Sequence, residues 1–187
     1  RRPLVLFVGQ LGYRKGVPYL LDAIRNLPLD LQLVGPRVSR VVLEHLPSNA
    51  EYLGPKSNQE VARLMSEADC FVLPSIEDAC ALVIAEAVAQ GTPVITTDQN
   101  GASELLSPQD LTVVQSADSR SLRQALSQVT ILDPDDRAER KERIATSGSP
   151  STWSEYGRQV VLRCRLLEAP GMGGPGSNER SGRGGAG

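Results

Sequence analysis

A doubly wound α/β domain on a parallel sheet is the fold class that this 187-residue sequence predicts. Short apolar, β-branched runs recur along the chain, and segments with helical periodicity, roughly 10 to 12 residues long, separate them. The runs are continuous rather than alternating in polarity, as strands covered by helices on both faces must be. The architecture expected is Rossmann-like.

The first run is "LVLFV", Leu4 to Val8. It is entered almost at once and without an initiating Met, which suggests a piece cut from a longer chain. It passes through "GQLGYRKG" into the helical pattern "GVPYLLDAIRNL". The second, "LDLQLV" (Leu29 to Val34), leads into "GPR" and a surface helix expected to carry His45, the single histidine. The third, "AEYL" (Ala50 to Leu53), leads through "GPK" into the helix "NQEVARLMSEA". "CFVL" (Cys70 to Leu73) runs into "PSIEDACA" and the helix "ALVIAEAVAQ". "PVITT" (Pro93 to Thr97) runs into "DQNGAS", and "LTVV" (Leu111 to Val114) precedes "SRSLRQALSQV".

Beyond residue 133 the pattern becomes a charged helix, "DPDDRAERKERIA", started by Asp133 and Pro134. Its charges are expected to form a solvated face. A "SGSPST" break, with Ser151 or Thr152 as cap, introduces a last helix, "WSEYGRQVVLRCRLLEA". From Pro170 the Gly-rich tail offers too little apolar surface to bury and is expected to be disordered. One domain over residues 1–169 results.

Composition narrows the function. Hydrophobic residues make up 40% and charged residues 22%, with a net charge of -2, so no field attracts nucleic acid. Cys70, Cys80 and Cys164 are odd in number and lack metal-ligand spacing, so free thiols in a reducing compartment are expected. No apolar stretch approaches the roughly 18 residues of a membrane span, and no signal-peptide pattern opens the chain. A cytoplasmic location is expected.

In an open parallel sheet, ligands bind outside the carboxyl ends of the strands. The first loop has neither GxGxxG nor GxxxxGK[ST] spacing, which argues against that type of NAD site and against a P-loop ATPase. It does place Arg14 and Lys15 just before a helix, after Gly9 and Gly12, an arrangement suited to phosphate or diphosphate. Glu86 is the one acid in the otherwise apolar run Ala81 to Ala89. A buried carboxylate needs a partner, either a protein cation or the vicinal hydroxyls of a ribose. Asp78 precedes Glu86 with seven residues between them and belongs to the adjoining loop.

Taken together, "FVGQLGYRKGVPYLLDAI", "EADCFVLPS", "EDACALVIAEAVAQGTPVITTDQNGASELL" and "WSEYG" resemble the carboxyl-terminal, donor-binding half of the GT-B glycosyltransferases, specifically the retaining group called family 4. The resemblance implies one half of a GT-B architecture, with the amino-terminal acceptor domain absent. It implies that Glu86 of an E-x7-E segment holds the nucleotide ribose, and that Asp78 with the backbone of Ala79, Cys80, Ala81 and Leu82 contacts the donor sugar or its phosphates. It also implies that Gly9, Gln10, Arg14 and Lys15 attend the diphosphate, and that the backbone from Leu53 through Gly54 to Lys56 lies near the base. Lys15, Asp78 and Glu86 are then the catalytic candidates. The donor would be a UDP-, GDP- or ADP-sugar, no metal is expected, and the acceptor would be a glycan or lipid, with peripheral membrane association of the parent.

Three departures from that pattern are visible. Gln10 stands where the family usually has Arg, Asp78 replaces the first Glu with Glu77 beside it, and Ala79-Cys80-Ala81 replaces Gly-Phe-Gly. They leave open a noncatalytic nucleotide-sugar-binding or interaction module, while an epimerase of the same architecture fits the E-x7-E arrangement poorly.

Overall fold

The computed structural model describes residues 1–38, 45–78, 82–101, 110–146 and 158. Six strands, β1 (Leu4–Val8), β2 (Asp30–Val34), β3 (Ala50–Gly54), β4 (Cys70–Leu73), β5 (Val94–Thr97) and β6 (Leu111–Val114), form one sheet in the order β3-β2-β1-β4-β5-β6. Every pairing is parallel. The expected strands all appear, three of them with shifted ends. Pro93, which has no N–H for the ladder, lies outside β5.

Helices α1 (Val17–Ala23), α2 (Asn58–Glu67), α3 (Leu82–Ala89), α4 (Ser119–Ile131) and α5 (Pro134–Ala145) complete the described elements. The chain moves from β1 to β2 in one direction along the sheet and from β4 to β5 in the other. Right-handed crossovers therefore place α1 and α3 on opposite faces. In keeping with this, α1 packs against α4, whereas α3 packs against α2 and α5. The core between these layers is built from fully buried side chains such as Leu6, Phe7, Leu33, Phe71 and Ile84.

Helix ends follow the sequence closely. Ser57 and Glu60 form a reciprocal capping box on α2, and the Asp118 and Asp133 side chains accept from the first amides of α4 and α5. Helix α1 stops earlier than its pattern suggested. Asn26 turns left-handed at φ 60, and Arg123 of α4 caps the end by donating to the carbonyls of Ala23 (2.9 Å) and Arg25 (2.7 Å).

One expectation needs correction. The charged run of α5 is not simply a solvated face, because Arg137 is buried and paired with the equally buried Asp69 at 3.3 Å. Asp69 also accepts from the Leu4 amide at 2.8 Å, and Lys141 donates to the carbonyls of Ser66 and Ala68. Thus the cations of α5 fasten it beneath the sheet, at the amino ends of β1 and β4. His45 lies in a turn, and the surface helix expected before it falls outside the described residues. Cys70 is a buried free thiol, its pKa pushed up to about 12 by burial. Cys80, Cys164, the tail from Pro170 and the cap of the last helix lie outside the described residues.

Candidate functional site

The strand order reverses between β1 and β4; at such a switch point the loops leaving the two strands diverge to opposite faces, and the crevice between them, at the carboxyl end of the sheet, is where ligands bind in open parallel sheets. The β1 loop crosses this point as a 3-10 turn, Tyr13–Lys15, followed by Gly16 in the left-handed conformation at φ 69. A Cβ on Gly16 would lie 1.8 Å from the carbonyl oxygen of Pro74, so only glycine lets the β1 loop rest on the β4 loop. The Ile76 amide then donates to the Arg14 carbonyl at 2.9 Å and joins the two backbones.

Across this seam the Lys15 ammonium pairs with the Asp78 carboxylate, with only 19% and 10% of the two side chains exposed. The same carboxylate accepts from the hydroxyl of fully buried Ser75 at 3.3 Å. The loop after β5 fixes the Asp78 backbone from the other side. The Asp78 amide donates to the Gln99 carbonyl (3.1 Å), and the Gly101 amide donates to the Asp78 carbonyl (3.3 Å). Thr97 adds a bond from its hydroxyl to the Ser75 carbonyl at 2.6 Å. Three strand-end loops therefore hold one acid in place. Glu77, the rival for its role, is exposed to solvent.

Glu86 lies in the second turn of α3, flanked by buried Ala85 and Ala87. Its carboxylate has no hydrogen-bonding or ionic partner among the described residues, and burial raises its pKa above the ordinary carboxylate value. The protein-cation partner considered from the sequence is thus not found among the described residues.

The remaining candidates occupy different positions. Gly9 is partly buried, and its amide donates to the Val34 carbonyl at 2.9 Å. Gln10 and Arg14 are exposed, both in the loop after β1. Gly54 ends β3, where its carbonyl accepts from the Gly35 amide at 3.1 Å. The Lys56 ammonium lies 3.9 Å from the Glu60 carboxylate. Leu82 begins α3 and is partly exposed, whereas Ala79, Cys80 and Ala81 lie outside the described residues.

Sequence reasoning did not single out Ser75, nor the pair Arg37 and Tyr52 at the ends of β2 and β3, where the guanidinium lies 5.5 Å from the ring centroid. Ser75 takes its place only through tertiary packing of the β4 and β5 loops. Arg37 and Tyr52 carried a signal, a cation just past one strand and an aromatic residue near the end of its neighbour.

Over 107 residues the chain is 34% identical to the GDP-mannose-dependent alpha-mannosyltransferase of Mycolicibacterium smegmatis, covering 57% of this chain and 28% of that protein. Its fold matches sucrose-phosphate synthase from Thermosynechococcus elongatus with a TM-score of 0.69 and 26% identity, covering 91% of this chain and 46% of that one. It also matches Anabaena HepE, solved with UDP and glucose, with a TM-score of 0.65 and 19% identity, covering 90% of this chain and 48% of that one. The chain thus spans less than a third of the curated mannosyltransferase and about half of each solved chain. A family model described as glycosyl transferases group 1 matches residues 2–130, the stretch that contains both switch-point loops and Glu86, and the chain belongs to that family.

Proposed function

We propose that this chain is the carboxyl-terminal, donor-binding half of a retaining GT-B glycosyltransferase of family 4, and that the whole protein transfers a sugar from a nucleoside-diphosphate donor to a glycan or lipid. The observation that carries the proposal is the Lys15 and Asp78 pair, which joins the β1 and β4 loops at the switch point of the sheet. The donor class also suits the similar proteins, of which one is GDP-mannose-dependent by name and another was solved with UDP and glucose.

On this reading Glu86 accepts hydrogen bonds from the ribose hydroxyls, which supply the partner its carboxylate lacks among the described residues. Lys15 and Arg14, with the backbone at Gly9 and Gln10, attend the diphosphate. Asp78 and the backbone of residues 79–82 face the donor sugar or its phosphates, and the backbone from Gly54 to Lys56 lies near the base. Transfer breaks the bond between the anomeric carbon and the diphosphate oxygen as the acceptor hydroxyl oxygen bonds to that carbon and gives up its proton to the departing diphosphate or to solvent. Negative charge then grows on the departing nucleoside diphosphate. Preorganised cations and helix amides stabilise that charge, so the chemistry calls for no metal. A second domain would present the acceptor, and a lipid acceptor would bring the whole protein to a membrane surface.

The test is calorimetric titration of the chain with UDP, GDP and ADP in buffer containing EDTA. One nucleotide is expected to bind between micromolar and millimolar. Glu86→Gln and Lys15→Ala are each expected to weaken it roughly tenfold, about 1.4 kcal/mol. Binding indifferent to both substitutions would sink the proposal.

A further inference from the structure

Lys15, assigned above to the diphosphate, does not carry its charge alone. Its ammonium is held by Asp78, so a carboxylate stands one hydrogen bond behind it. That carboxylate has little room to swing aside. Its Oδ2 atom accepts from both Lys15 and the buried Ser75 hydroxyl, and only 10% of its side chain is exposed. The Asp78 backbone is pinned to the loop after β5 through Gln99 and Gly101, and an isolated parallel bridge pairs it with Asn100. Ser75 is fastened in turn by the Thr97 hydroxyl. The negative charge is therefore as firmly placed as the positive one.

The surrounding loops add little to offset it. Gln10 is neutral, Arg14 is exposed and its charge is the more screened by water and salt, and Glu77 adds a second acid to the β4 loop. Asp78 thus cancels much of the one cation held at the seam. A ligand phosphate bonded to the Lys15 ammonium lies within about 6 Å of the Asp78 carboxylate, two hydrogen-bond lengths, where like charges repel appreciably. Such a site accepts a phosphate diester and penalises any further negative charge.

We propose that Asp78 is a specificity-determining residue whose carboxylate discriminates the intact sugar nucleotide from the free nucleoside diphosphate left by transfer. The proposal rests on the donor reading and deepens it by assigning which of the two nucleotides the site prefers, and why. The two ligands share base, ribose and both phosphates. In the donor the outer phosphate is esterified to the sugar, whereas in the product it is terminal and carries one more negative charge above about pH 6. Where the acceptor proton passes to the diphosphate, that charge appears as the proton leaves to solvent, after the sugar has moved. Asp78 then favours departure of the spent nucleotide and its exchange for a new donor.

The experiment titrates the chain at about pH 8, where a terminal phosphate is fully ionised, with UDP, GDP and ADP and then with UDP-glucose, GDP-mannose and ADP-glucose. The set is repeated with Asp78→Asn and Asp78→Glu. Asp78→Asn keeps the size of the side chain, Asp78→Ser is a second neutral variant, and cooperative thermal melting selects the one that folds. The neutral variant is expected to bind the preferred nucleoside diphosphate roughly tenfold more tightly, and its sugar nucleotide no more than about threefold more tightly. Asp78→Glu, which keeps the charge, should leave the ratio of the two affinities within about twofold of that in the unaltered chain. Weaker diphosphate binding in the neutral variant would overturn the proposal and show that Asp78 only places Lys15. Unchanged diphosphate binding, equal tightening of both ligands, or binding of diphosphates with no sugar nucleotide would overturn the discrimination and leave a nucleotide site standing. Failure of the unaltered chain to bind any of these ligands would remove the donor reading, and the proposal with it.

Discussion

Glu86 projects from α3 without a partner among the described residues, and burial holds its carboxyl above the ordinary pKa. A raised folded-state value means that the folded chain keeps a proton on Glu86 more readily than the unfolded chain does. The associated stability is therefore full below the unfolded pKa and lost as pH rises through the folded one. Replacing Glu86 by Gln should raise the melting temperature at about pH 7, and the gain should shrink as pH falls toward the ordinary carboxylate value. A gain independent of pH would show that ionisation is not its cause. The same substitution is expected to weaken nucleotide binding, so stability and ligand affinity move in opposite directions at this residue. Glu86 was legible in the sequence because an acid interrupts an apolar run. The choice of Asp78 over Glu77 was legible only in part, since spacing favoured it but the contacts with Lys15 and Ser75 come from loops that tertiary structure brings together.

Among the elements, the β1 loop and its 3-10 turn matter most, because they set the height of Lys15 above the sheet. Gly16→Ala would bring a Cβ against the Pro74 carbonyl and place alanine in the left-handed region. We expect a loss of at least about 2 kcal/mol in urea unfolding, larger than a left-handed conformation alone usually costs an alanine. Gly54→Ala is the control. It has positive φ but open space, and its loss should be about 1 kcal/mol. Equal losses would mean that the two loops can separate without strain. Both glycines are visible in the sequence, yet only the packed loops distinguish them. Strands were readable to within a residue or so because continuous β-branched runs have one good use in a parallel sheet. The early end of α1 was not readable, since it depends on Asn26 turning left-handed and on a cap donated by Arg123 from another helix.

Across the whole molecule, the crevice lies at one end of the sheet and a buried ion pair at the other. Asp69 and Arg137 join α5 to the amino ends of β1 and β4, and removing the acid leaves a guanidinium buried without its charge partner. Asp69→Ala is expected to cost about 3 to 5 kcal/mol of unfolding free energy, while the double variant Asp69→Ala with Arg137→Met should recover much of that loss. No recovery would mean that the amide bond from Leu4, rather than the charge, is what Asp69 provides. The α5 sequence concealed this role because a run of alternating charges looks the same whether it faces water or one of its cations turns inward. The strand order has a consequence in time as well. Strand β1 lies between β2, which follows it after one helix, and β4, whose register partners Cys70 and Phe71 are made far later. Until β4 emerges during synthesis, one edge of the central strand stays unpaired and apolar, a surface prone to unwanted association. Lys15 and Asp78, 63 positions apart, meet only after that edge is closed. The ion pair that marks the crevice thus has no counterpart in a shorter nascent chain, and its formation dates the moment at which the centre of the sheet is complete.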